Sequence, residues 1–136
     1  MSDVNAYIFF NGNCADAMKF YEQALGGSLR MVKASDTPGG SGDAIMHAHL
    51  GLASGGVLLA SDWMDDKNPY PGMHGFRVYL GCPTVADAQR AYDALAAGAK
   101  SVELPFGKTF WSDGFGMITD KFGTGWMVGA EQKEQG

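Results

Sequence analysis

CADAMKFYEQALGG, residues Cys14–Gly27, and VADAQRAYDALAAG, residues Val85–Gly98, are two versions of one segment at an offset of 71. Ala15/Ala86, Asp16/Asp87, Ala17/Ala88, Tyr21/Tyr92 and Gly27/Gly98 are identical, while Lys19/Arg90 and Glu22/Asp93 keep their charge. In the first copy Ala17, Tyr21, Ala24 and Leu25 recur at helical spacing, so the spacing predicts a helix over 15–25. Asn13 and Thr84 stand at N-cap positions, and Gly26-Gly27 and Gly98 close the two helices. Two amphipathic helices can share this many residues through composition alone. The flanking order decides the matter, because one strand precedes and three strands follow each helix.

Working outward, Asn5–Phe10 (NAYIFF) reads as a buried strand by its aromatic and β-branched content. Leu29–Ala34, Ile45–Leu50 and Val57–Ser61 follow the first helix. Phe76–Leu80 precedes the second helix, over 85–97, and Val102–Leu104, Phe115–Thr119 and Trp126–Val128 follow it. Ser35–Asp43 and Trp63–Met73 are rich in glycine, proline and polar residues and read as loops. Glu131–Gly136 reads as a frayed polar tail. The pattern predicts one α+β domain over residues 1–136, built from two βαβββ repeats at about 4–62 and 74–130. Its expected architecture is a curved mixed sheet with the helices on the convex face.

Composition narrows the function. With 46% hydrophobic and 18% charged residues, the chain is a globular protein rather than a disordered one. Its 20 glycines follow no G-X-Y period, which excludes collagen and points to many turns. A formal net charge of −5 with no basic cluster argues against nucleic acid and anionic membranes as partners. The N-terminus lacks the basic and apolar regions of a signal peptide. The aliphatic run Val57–Ala60 is far shorter than the ~20 residues of a membrane span. Cys14 and Cys82 form no CxxC pair, so reduced thiols and a cytoplasmic location are expected.

Tyr7–Gly27 (YIFFNGNCADAMKFYEQALGG) and Thr109–Val128 (TFWSDGFGMITDKFGTGWMV) resemble the PhnB-like branch of the vicinal oxygen chelate superfamily. This superfamily includes glyoxalase I, the bleomycin-resistance proteins and the extradiol dioxygenases. Ala44–Leu50, with its HAH, and Ala60-Ser61-Asp62 add to the likeness, which runs from about Val4 to Val128. Members of this branch often carry a demethylubiquinone methyltransferase label. A chain this short, without a doubly wound sheet, leaves little room for a methyl-donor domain. In the metal-dependent relatives, four His or Glu ligands come from the first and last strands of each half. The resemblance and the internal repeat put those positions at Ala6, Leu58, Phe76 and Met127. None is a ligand of the usual kind, methionine being only a soft donor. No cofactor is therefore expected at the family's metal positions.

The candidate catalytic residues are His47 and His49, which share one face of a strand, with Asp62 at the end of another. They read either as ligands or a general base beside a cavity, or as solvent-facing histidines and a turn-capping acid. The candidate ligand-binding residues are Phe10, Leu58, Phe76, Phe110, Trp111, Asp113 and Met127, in a cavity also lined by Ile8, Ala60 and Val78. Phe110 and Trp111 suit stacking on a flat or cationic ligand, with Asp113 supplying charge. The same residues also suit a turn whose aromatics enter a core or interface. Gly107-Lys108-Thr109 lacks the first glycine of a P-loop, and no Gly-x-Ser-x-Gly elbow exists. The reading is a cytoplasmic, metal-independent small-molecule-binding protein, and the resemblance implies a homodimer. Whether it is an enzyme stays open. One alternative is a glyoxalase-type lyase or isomerase holding a metal on His47, His49 and Asp62. The other is an antibiotic-sequestering resistance protein.

Overall fold

The computed structural model describes residues 2–130, so the expected tail Glu131–Gly136 lies outside the described residues. The elements run β1 (Ala6–Phe10), α1 (Cys14–Leu25), β2 (Gly27–Lys33), β3 (Ile45–Leu52) and β4 (Val57–Asp62), then β5 (Val78–Cys82), α2 (Val85–Leu95), β6 (Ser101–Gly107), β7 (Phe115–Thr119) and β8 (Gly125–Ala130). This is the expected α+β order, βαβββ twice. The largest boundary difference is β6, which runs to Gly107 rather than ending at Leu104, and β5 starts at Val78 rather than Phe76. The chain divides into a unit ending at Gly72 and a unit beginning at Met73. Each has its own four-stranded sheet, ordered β1-β4-β3-β2 in the first and β5-β8-β7-β6 in the second. In each, the first strand lies parallel to the last and the other pairings are antiparallel.

In the first unit α1 buries Cys14, Ala17, Met18 and Tyr21. They meet Ile8, Phe10, Ala48, Leu50, Leu58 and Ala60, all of which are buried. Phe10 is 0% exposed, with its ring 6.4 Å from that of Tyr21. Asn13 occupies the N-cap without a side-chain bond to the helix. In the second unit Ala88, Tyr92 and Leu95 of α2 cover Ile118, Trp126 and Val128. Gly116 lets Tyr92 approach, since a Cβ there would sit 2.6 Å from the Tyr92 ring. Thr84 caps α2 as expected, its hydroxyl accepting from the Asp87 amide. Cys14 and Cys82 are both buried. Among the described residues, no helix is long and apolar enough to cross a membrane.

Candidate functional site

Each sheet has one face turned away from its helix, and alternation along the strands decides which side chains reach it. In the first unit β1 and β4 pair Tyr7 with Leu59, and β3 brings His49 opposite Leu59. Tyr7, Phe9, His47, His49 and Leu59 therefore share the helix-distal face. The Tyr7 ring lies 5.0 Å from Phe9 and 6.1 Å from His47. Phe9 meets the edge of Trp63 at 5.5 Å, and Trp63 meets Tyr70 at 6.2 Å. The Tyr70 hydroxyl donates to the Phe9 carbonyl at 2.7 Å, pinning the loop after β4 to the outer edge of β1. Burial raises the pKa of that phenol.

Three expected site residues belong to the opposite face. Phe10 and Leu58, with Ile8 and Ala60, are buried and point into the α1 core. Asp62 is 5% exposed and also lies on the helix side. Its Oδ1 accepts the Cys14 amide at 2.9 Å and its Oδ2 accepts the Ile45 amide at 2.8 Å. Asp62 thus takes over the capping that Asn13 leaves undone and ties the start of β3 to the same point. It cannot join His47 and His49 around one ion, because the sheet lies between them. Burial, with the Asp62 charge second, pushes the Cys14 thiol up to about 12.

In the second unit the sheet carries a cavity of about 550 Å³ lined by Met73, His74, Phe76, Arg77, Thr119 and Met127, with glycines between them. The expected Phe76 and Met127 are both there. The Arg77 guanidinium donates from Nη1 to the Ile118 carbonyl at 2.9 Å and pairs through Nη2 with Glu103 at 3.2 Å. Glu103 also accepts from the Ser101 and Thr119 hydroxyls. Ser101 is the main cause, ahead of Thr119 and Arg77, that holds the Glu103 carboxyl below the usual range. Phe110, Trp111 and Asp113 lie on the β6–β7 loop, outside this cavity lining. Phe110 is 97% exposed and edge-on to Trp111, which in turn leans on Phe115.

The resemblance places metal ligands on the helix-distal face of the first and last strands. The parallel pairs on that face nearest those positions are Tyr7 with Leu59 and Tyr79 with Met127. Tyr7 and Leu59 therefore replace their neighbours Ala6 and Leu58, Tyr79 replaces Phe76 three residues before it, and Met127 keeps its place on that face. Two phenols, an aliphatic chain and a thioether do not fit the family's His/Glu donor set. Among the described residues no three His, Cys, Asp or Glu side chains gather to hold an ion. Sequence reasoning missed Tyr7, Phe9, Leu59 and Arg77. A usable signal lay in the two β-turns, because placing Leu52–Gly56 over Asp120–Thr124 aligns Leu59 with Met127 directly.

A model of the Glyoxalase/Bleomycin resistance protein/Dioxygenase superfamily matches residues 4–128. Protein YjdN of Escherichia coli K12 is 32% identical over 96% of this chain and 97% of its own. The crystal structure of PA1353 from Pseudomonas aeruginosa is 43% identical, with a TM-score of 0.88 over 98% of this chain and 100% of that one. A Bacillus cereus PhnB protein, titled a putative 3-demethylubiquinone-9 3-methyltransferase, is 20% identical with a TM-score of 0.74 over 96% of this chain and 100% of its own, a likeness of fold. With its duplicated βαβββ order and these matches over nearly its whole length, the chain belongs to the glyoxalase/bleomycin resistance protein/dioxygenase superfamily.

Proposed function

We propose that the protein binds a small, largely apolar molecule in the cavity of its second unit, without a divalent metal, and works as a homodimer. The cavity carries this reading. At about 550 Å³ it falls in the range of roughly 300–1,000 Å³ typical of small-molecule sites. Met73, Phe76 and Met127 supply apolar wall, and Arg77, His74 and Thr119 supply a few polar groups that can orient a ligand. The homodimer rests on the family resemblance. The metal-dependent alternative loses support because Asp62 and the histidines occupy opposite faces.

Calorimetric titration with a panel of small aromatic and aliphatic compounds tests it. The expected result is saturable binding by the chelator-treated protein, weakened at least about ten-fold in Met127→Glu, with the melting temperature of that variant retained. A ten-fold loss corresponds to about 1.4 kcal/mol, modest for placing a carboxylate on an apolar wall. Equal binding by Met127→Glu, or no binding by any compound, overturns the proposal. Sedimentation equilibrium reports the dimer.

A further inference from the structure

Gly125 opens the first residue of β8, and its φ is not among the positive ones that reserve a position for glycine. Backbone conformation therefore does not require a glycine here, but space does. A Cβ on Gly125 would stand 3.0 Å from Arg77 Cγ, 3.1 Å from Nη1 and 3.4 Å from Cζ. Near-equal distances to atoms at both ends of the side chain mean that Arg77 lies flat across the Gly125 α-carbon. The guanidinium end of the side chain therefore lies close against the Gly125 backbone. Its edge is occupied by the Ile118 carbonyl and the Glu103 carboxylate. Arg77 also lines the cavity, beside Phe76 and Met127.

We propose that Arg77, laid over Gly125 and clamped at its edge, is a stacking platform that makes the cavity select planar aromatic ligands over saturated ones of the same size. The inference rests on the cavity reading above and adds the ligand class and the residue that sets it. A guanidinium that is edge-bonded and charge-paired has little left to offer an anion. Its planar, weakly hydrated face remains suited to an aromatic ring. Thioethers in the same wall also favour aromatic contacts. Apolar burial by itself gives no such preference, because a saturated ring system exposes at least as much hydrocarbon as its aromatic counterpart.

The test compares 2-naphthol with its saturated counterpart, decahydro-2-naphthol, by calorimetric titration of the full chain. The intact protein is expected to bind naphthol about five-fold more tightly, the size of a partly desolvated cation–π contact. Arg77→Lys keeps the charge and loses the plane, so the preference for naphthol over decahydronaphthol should fall to about unity. Gly125→Ala displaces the platform without touching Arg77 and should do the same. It keeps the proposal testable if the lysine variant folds poorly. Equal affinities in the intact protein, or a preference that survives both substitutions, overturn the platform and leave the cavity reading standing. Binding of neither compound overturns both.

Discussion

The two units repeat one βαβββ order, yet each sinks its fully bonded carboxylate at a different place. In the first unit it is Asp62, the last residue of β4, which holds the starts of α1 and β3. The register puts Ala130 at that position in the second unit, paired with Cys82 as Asp62 is paired with Phe10. In the second unit the carboxylate is Asp120, at the β7–β8 turn, where the first unit has Leu52. Asp120 accepts the Phe122 and Thr124 amides and the Trp126 indole N–H. The turns themselves match. Leu52 donates to Gly56 and Gly55 to Leu52 at 2.7 and 2.9 Å; Asp120 donates to Thr124 and Gly123 to Asp120 at 2.9 and 3.0 Å. The backbone of the repeat therefore persists while the polar side chain that braces it moves. The first unit is braced between helix and sheet, the second at its turn.

The strongest way to break this comparison is to remove both acids. Asp120→Ala leaves three donors without the carboxylate, two of them backbone amides, and should cost about 4 kcal/mol at roughly 1–3 kcal/mol per buried unpaired group. Asp62→Ala leaves two and should cost about 3 kcal/mol by the same reasoning. Denaturant unfolding measures both. A loss at Asp62 exceeding that at Asp120 would contradict the ranking. Asp120→Asn sharpens it, since Oδ1 can keep both amides while the new NH₂ group confronts the Trp126 N–H. Adding Trp126→Phe to that variant should recover part of the loss.

Burial of Cys14, with the Asp62 charge second, also leaves a mark on pH dependence. The folded thiol titrates at about 12 against an ordinary 9.0. Above pH 9 the unfolded chain releases a proton that the folded chain keeps, so stability falls as pH rises. The slope approaches about 1.4 kcal/mol per pH unit, giving about 2 kcal/mol by pH 10.5. Other groups titrate there, so the measurement is the difference between the intact protein and Cys14→Ala in unfolding between pH 8 and 10.5. Parallel curves would mean that the thiol is not held protonated.

How much of this was legible follows from the local patterns. Both helices were, because Tyr21 and Tyr92 sit at the same phase of a 3.6-residue period. The duplicated order and the loop after β4 were legible too. The faces of β1 and β4 were not. NAYIFF and VLLAS are apolar on both sides, and a strand without alternation does not say which residues meet the helix. An error of one residue then moved Phe10 and Leu58 from core to cavity. In β8 the run Trp126, Met127 and Val128 gave no better cue, although Met127 does lie on the cavity side. Asp62 misled for another reason: an acid at a strand end looks the same in sequence whether it serves a ligand or a distant helix terminus. Arg77 was invisible because its role depends on the absent side chain of Gly125.

The smallest expected difference between the units lies at the two helix starts. Thr84 accepts the Asp87 amide at 3.1 Å, so Thr84→Ala should cost about 1 kcal/mol, the usual worth of an N-cap. Asn13 has the residue type that caps helices best, yet makes no such bond: its φ of −116° and ψ of 23° depart from the extended backbone of the working cap at Thr84, while Asp62 holds the Cys14 amide beside it. Asn13→Ala should therefore change stability by less than about 0.5 kcal/mol, as a surface substitution away from any such feature does. In an Asp62→Ala background the Cys14 amide is released, and the backbone at Asn13 is free to take the extended cap geometry in which its side chain reaches the amides two and three residues on. There Asn13→Ala should cost more than it does in the intact protein. A double-mutant cycle reads that difference directly, and strict additivity would show that the local and distant caps never competed for the same helix end.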